Sequence, residues 1–470
     1  MKNLLTRLDL SYLYVFLGEA TLGLTFIFYI LLARVLGPEE YGIFTSASAL
    51  GAILALLIQF GLPVLLNREV SANAEVGSKL TSRFILLELL TSIPVFIILY
   101  PIAIFMGYNE QNTLIICYIV VFSEICRAIK MTLRGALKGM GWFRTETVFV
   151  ALERAATVVI SLGVLYATKS LTLVVISIVV VRLLDILVLL YYLSRKLPIW
   201  SPFTISDCWD SLRMAYPFAL SGVLWILYYQ VDLVMLQAIG STVEAGYYSA
   251  AYKVMEMFFA LPRVIFQVIF TRFAKYHAND PSRLPEQLYK ATRLLLIGVL
   301  PAVIIAGFLQ QILLPLIYGP EFQRSVYSLA ILLPSLGISM FGNLAQRFLQ
   351  ATGQEKTLPN ILFWTASGNV LINWFLIPQF GGPGAAIATL ISEIALCLLG
   401  LQIMIRTPYS HIAKKIMGIC LLSLFAAACP SFIIYGLNPS IGIALIMGSL
   451  LAILYLAQRR RFLGESNPLV

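Results

Sequence analysis

Charged residues supply only 12% of this 470-residue chain, against about a quarter in water-soluble domains. That shortage excludes an ordinary soluble protein, and no stretch between the apolar runs is long enough to fold separately. Histidine is almost missing: His277 and His411 both sit in polar stretches, which argues against a histidine-based metal or acid–base centre. The six cysteines form no CxxC pair and follow no metal-ligand spacing; they read as small core residues. No phosphate-cradling glycine loop occurs, which argues against an ATPase. Asp-x-Asp, the usual metal motif of nucleotide-sugar transferases, is also absent. The basic stretch from Met1 to Asp9 precedes an apolar run too long for a signal-peptide core, so no cleavage is expected.

What is present is hydrophobic sequence, 60% of the chain. Windows of about 20 residues, the length that crosses roughly 30 Å of hydrocarbon, number about fourteen. They fall near 11–34, 43–66, 82–106, 112–133, 145–167, 171–194, 213–238, 246–270, 291–316, 326–348, 358–378, 383–405, 412–435 and 440–458. The expected fold is therefore an all-α integral membrane protein. Alternate loops are short and hold few cations (Arg34, Lys169 and Arg324), while Lys and Arg crowd the other side. That asymmetry predicts a multi-pass protein of the cytoplasmic (inner) membrane with both termini cytoplasmic, and it accounts for the net charge of +10 without nucleic acid.

The chain also repeats. Leu36-Gly37-Pro38-Glu39-Glu40-Tyr41-Gly42 returns as Ile239-Gly240-Ser241-Thr242-Val243-Glu244-Ala245-Gly246, with one residue inserted between the glycines. A second echo sets Leu137-Lys138-Gly139 beside Leu349-Gln350-Ala351. Both pairs lie on matching sides, which predicts parallel repeats. The expected division is an N-lobe of six helices over 1–197, a pseudo-symmetric C-lobe of six over 198–407, and two further helices with a basic tail over 408–470.

At these residues the sequence resembles the polysaccharide transporters and oligosaccharide flippases of the multidrug/oligosaccharidyl-lipid/polysaccharide exporter superfamily. The likeness runs through Ala33-Arg34-Val35-Leu36-Gly37-Pro38-Glu39-Glu40-Tyr41-Gly42, Asp232 with the run Gly246 to Lys253, Tyr318-Gly319-Pro320-Glu321-Phe322, and Asn373 with Gly384-Ala385-Ala386. The resemblance implies a two-lobed bundle that moves a polyprenyl-diphosphate-linked oligosaccharide across the membrane by ion-coupled alternating access, in polysaccharide biosynthesis, as a monomer among membrane lipids. It implies transport without enzymatic chemistry and without a cofactor beyond a coupling Na+ or H+.

Residues suited to such work stand in apolar windows, where an ionisable side chain usually faces a cavity or a partner. Ser249, Lys253, Glu256, Arg263 and Gln267 follow one another at steps of one helical face. Two readings stay open: a cavity lining, with Lys253 and Arg263 for the phosphates, or a closed network in which Glu256 neutralises Lys253 at i, i+3. Trp225 and Tyr229 offer sugar-stacking rings and equally fit a membrane-interface belt. Arg154 and Glu19 are cavity candidates in the first lobe. Glu153, Arg182 and Asp185 read as structural, with Arg182 and Asp185 spaced to neutralise each other. Asp232 has no cation one turn away; with Asn369, Asn373 and Thr389 it supplies oxygen ligands for Na+, and the resemblance sharpens that assignment. A packing role for the same residues, or proton coupling through Asp232, remains open. Rival functions are a lipid II flippase, a drug exporter of the same superfamily and, more distantly, a membrane polysaccharide polymerase or ligase, for which the external loops are too small.

Overall fold

A computed structural model describes residues 21–196 and 204–434, and among them every regular element is helical. The chain packs into two compact units, Met1–Gly246 and Tyr247–Val470. The first holds α1 (Leu22–Gln59), α2 (Leu62–Ala72), α3 (Ala74–Phe105), α4 (Gln111–Gly139), α5 (Phe143–Thr168), α6 (Leu171–Lys196) and α7 (Ile205–Ile239). Helix α8 (Thr242–Asn279) gives its first turn to that unit and the remainder to the second. The second continues with α9 (Leu284–Leu294), α10 (Leu300–Tyr318), α11 (Ser325–Ala351), α12 (Leu358–Phe380), α13 (Gly382–Ile405) and α14 (Ser410–Ile434). Nine helical segments among the described residues are long and apolar enough to cross a membrane. The expected span at 440–458, the start of the one at 11–34, and Glu19 lie outside the described residues.

Packing follows the rule for helices in lipid, where close contact between small residues replaces the hydrophobic drive available in water. Helix α1 buries Gly42, Ala47, Ala49, Gly51, Ala52 and Ala55, and α13 buries Gly384, Ala385, Ala386, Ala388 and Gly400. Helix α11 is the centre of its unit, with 89% of its apolar window buried, whereas only 17% of that of α5 is covered.

Two expected boundaries are corrected. The outer loop expected at Leu36 to Glu40 is a one-residue break inside α1: Gly37 takes φ 76°, ψ 177°, and Pro38 restarts the helix. A positive φ of that size suits glycine, and Pro38 has no amide hydrogen to leave unpaired in the new first turn. The expected span 43–66 is likewise split at Phe60 and Gly61, both with positive φ, and α2 begins at Leu62. A wide helical turn over Leu295–Val299 joins α9 to α10, ahead of Pro301.

The two copies of the repeated motif touch each other within the first unit. A β-carbon on Gly42 would strike the carbonyl oxygen of Thr242, and one on Gly246 would strike that of Pro38. Each glycine therefore packs on the residue four positions before the other. Helix α7 enters through a capping box. The Asp207 amide donates to Thr204 Oγ1 at 3.3 Å, and Asp207 Oδ2 accepts from the Thr204 amide at 2.8 Å. Hydrogen bonds from the Thr204 amide and hydroxyl, with the Arg83 guanidinium at 3.5 Å, hold this carboxyl below the usual aspartate range.

Candidate functional site

Ionic side chains concentrate on one face of α4. Glu124, Arg127, Lys130 and Arg134 succeed one another at steps of three, three and four, so all four project the same way. Lys130 Nζ lies 2.5 Å from Glu153 Oε1 on α5 and 3.9 Å from Asp185 Oδ2 on α6. Arg134 Nη2 reaches Glu153 at 3.5 Å and Asp185 at 3.4 Å. Arg182 Nη1 donates to Glu124 Oε1 at 3.0 Å and to the carbonyl and hydroxyl of Ser123 at 2.7 and 2.9 Å. Arg127 Nε closes the chain on Glu124 Oε2 at 2.6 Å.

Four cations (Arg127, Lys130, Arg134, Arg182) thus face three carboxylates (Glu124, Glu153, Asp185). Lys130, Arg134, Glu153 and Asp185 each leave under a tenth of the side chain exposed, while that of Arg127 is 35% exposed. The surplus charge therefore has an outlet at Arg127. Separately, Glu88 on α3 is fully buried and accepts from the Thr132 hydroxyl at 2.5 Å.

Pairing inside the first unit, expected for Glu153, Arg182 and Asp185, is what the geometry has, but with different partners. Arg182 and Asp185 do not neutralise each other: Arg182 turns to Glu124 and Asp185 to Arg134. Lys130 and Arg134, counted in the sequence among the cations that crowd one side, are buried and paired with α5 and α6. The spacing from Glu124 to Arg134 was the available signal, because one helical face of charge beside an apolar face is a packing pattern and not a loop pattern. A second polar group was missed altogether. Ser46 shares a hydrogen bond with Tyr108 Oη at 2.7 Å and donates to Gln237 Oε1 at 3.1 Å, and Gln237 Nε2 donates to Thr242 at 3.1 Å.

Of the cavity candidates in the first unit, Arg154 is half-buried and donates to Thr21 Oγ1 at 2.6 Å. Trp225 is exposed, its ring centroid 4.8 Å from that of Tyr229. Asp232 is buried in the same unit. In the second unit Lys253 Nζ meets Glu256 Oε2 at 2.7 Å, the i, i+3 pair that the spacing allowed. Arg263 and Gln267 lie on α8, but their side chains fall outside the described residues. Asn373 Nδ2 donates to Asn369 Oδ1 at 2.9 Å, and Thr389 Oγ1 shares a hydrogen bond with Tyr248 Oη at 3.2 Å while donating to the Ala385 carbonyl at 3.0 Å. Asn369, Asn373 and Thr389 are all buried.

A bundle of small-residue-packed membrane helices with a buried ionic cluster is the class of architecture the fold defines, and solved structures share it. The chain resembles the lipid II flippase MurJ in an inward closed conformation (TM-score 0.70, 17% identity), covering 95% of this chain and 98% of that one. It also resembles an inward-facing multidrug resistance MATE family transporter of the MOP superfamily (TM-score 0.66, 14% identity), covering 86% and 99%. The fold is accordingly shared with these two transporters. The family described as "Polysaccharide biosynthesis protein" matches residues 11–277, and the chain belongs to that family. Curated relatives include a probable low-salt glycan biosynthesis flippase, Agl15, of Haloferax volcanii, 23% identical over 80% of this chain and 77% of that protein. A putative O-antigen transporter of Shigella flexneri is 22% identical over 78% and 90%.

Proposed function

We propose that this protein is a flippase for a lipid-linked oligosaccharide, carrying a polyprenyl-diphosphate sugar across the cytoplasmic membrane by alternating access without chemical change to its load. The observation that carries this reading is the cationic surplus of the α4–α5–α6 network. A diphosphate brings negative charge into a region of low dielectric, and an arginine fork with spare donors is the side chain that best receives it. Arg127, the most exposed member of the network, takes that role. The family membership and the relatives named as flippase or O-antigen transporter support the same class of substrate.

Reconstitution with a fluorescent polyprenyl-diphosphate sugar tests it. Active protein is expected to move label away from a membrane-impermeant quencher, and Arg127→Gln to slow that movement about tenfold or more, as for a lost charge-assisted hydrogen bond. An unchanged leaflet distribution with the native protein would sink the proposal.

A further inference from the structure

The ends of α12 and α13 present polar chemistry that the transport reading does not use. Between the entry to α12 and the exit from α13 lies a cavity of about 600 Å³, lined by Lys356, Thr357 and Asn360 on one side and Arg406 and Thr407 on the other. Its lining contains two cations and no carboxylate. Neither the Lys356 nor the Arg406 side chain makes an ion pair or hydrogen bond among the described residues, in contrast to the paired Lys130, Arg134 and Lys253.

Depth in the membrane selects the ligand. The segments Glu355–Phe380 and Gly382–Ile405 are both of spanning length, roughly 36 to 39 Å at 1.5 Å per residue, which exceeds the hydrocarbon thickness of about 30 Å. Their shared end therefore lies at the level of lipid headgroups. From the cavity, one face of α12 runs on through Asn360, Trp364, Gly368 and Leu371, at steps of four, four and three. Trp364 is 65% and Leu371 61% exposed, and nothing stands within 4 Å of where Gly368 would carry a side chain. An apolar notch between two large side chains thus opens about 12 Å from Asn360 along the helix.

We propose that this cavity binds an anionic phospholipid of the surrounding bilayer. Lys356 and Arg406 hold the phosphate, the guanidinium through its paired donors. Thr357, Asn360 and Thr407 hydrogen-bond the headgroup, and an acyl chain descends over Trp364 into the notch at Gly368. A phosphatidylcholine headgroup fits less well, because its own quaternary ammonium adds a positive charge beside the two cations that hold its phosphate. The site does not depend on what the protein transports.

Thermal melting in nanodiscs of dioleoylphosphatidylcholine, with and without dioleoylphosphatidylglycerol, tests the assignment alongside lipid titration by native mass spectrometry. The wild-type protein is expected to melt higher with phosphatidylglycerol. In the Lys356→Gln/Arg406→Gln double variant that difference should vanish and phosphatidylglycerol should bind about twenty-five-fold more weakly, each cation contributing about fivefold. Lys414→Gln, exposed and outside the cavity, should keep the wild-type response. Each protein is compared with itself between the two lipids, so a general loss of stability in the variant does not obscure the result. An undiminished headgroup effect in the double variant overturns the proposal. So does an equal shift produced by soluble glycerol 1-phosphate in phosphatidylcholine discs, which would make the cavity a site for free phosphate and not for a lipid.

Discussion

Lys130 and Glu153 come from different helices and meet at 2.5 Å with almost no solvent around them. A buried pair of this kind adds little over a well-packed apolar pair, but removing one member leaves a charge stranded at a cost of about 3 to 5 kcal/mol. Glu153→Ala leaves Lys130 with only the more distant Asp185, at 3.9 Å, and weakens the hold on Arg134, so a fall in melting temperature is expected. Lys130→Met/Glu153→Ala should recover most of the loss, because the two charges leave together. Detergent-solubilised melts of the three proteins decide it: a single variant as stable as wild type would mean that water or another acid already serves Lys130. The Lys253–Glu256 pair was readable from spacing because both residues lie on one turn. The Lys130–Glu153–Asp185 arrangement was not, since nothing local in α4 says which helix will bring the carboxylates.

At the scale of elements, the apolar windows located the helices well but did not reveal where they break. Phe60 takes a φ of 43° in the middle of a predicted span, and an apolar residue in that conformation leaves no trace in a hydropathy window. Gly37-Pro38 was visible as a turn signal, yet it breaks α1 by one residue and makes no loop. The motif repeat was legible too, though not the contact between its copies. That contact is testable. Gly246→Ala would drive a methyl into the Pro38 carbonyl, and neither backbone yields as a flexible side chain would. Overpacking of this kind costs about 1 to 3 kcal/mol or more. Folded yield of Gly246→Ala by fluorescence-detected gel filtration is expected to drop sharply, while Gly298→Ala, where nothing lies within 4 Å, should not change it. Equal yields would mean that α1 and α8 have room to separate.

For the whole molecule, composition alone placed the chain in a membrane, and the ordered motifs pointed to a polysaccharide-transport family, in line with the family match over residues 11–277. Assignment of individual residues to a transport path was harder, because a polar side chain in an apolar helix looks the same whether it faces a cavity or a partner. Ion coupling is the clearest prediction at this scale. If Asp232 carries the coupling, Asp232→Asn should abolish the dependence of flipping on an imposed Na+ or H+ gradient while leaving gradient-free exchange of label intact. Flipping that ignores both gradients in the wild-type protein would remove ion coupling from the mechanism.

The contact of Gly42 with Thr242 and of Gly246 with Pro38 has one more consequence. Interactions in which i meets j and j meets i are the signature of a two-fold axis between identical surfaces, and here they join two copies of one motif. Such a contact is the mark that an ancestral homodimer of half-length chains would leave after gene fusion. Its two glycines would then descend from a single ancestral residue, kept small in both copies because each copy shaped the other.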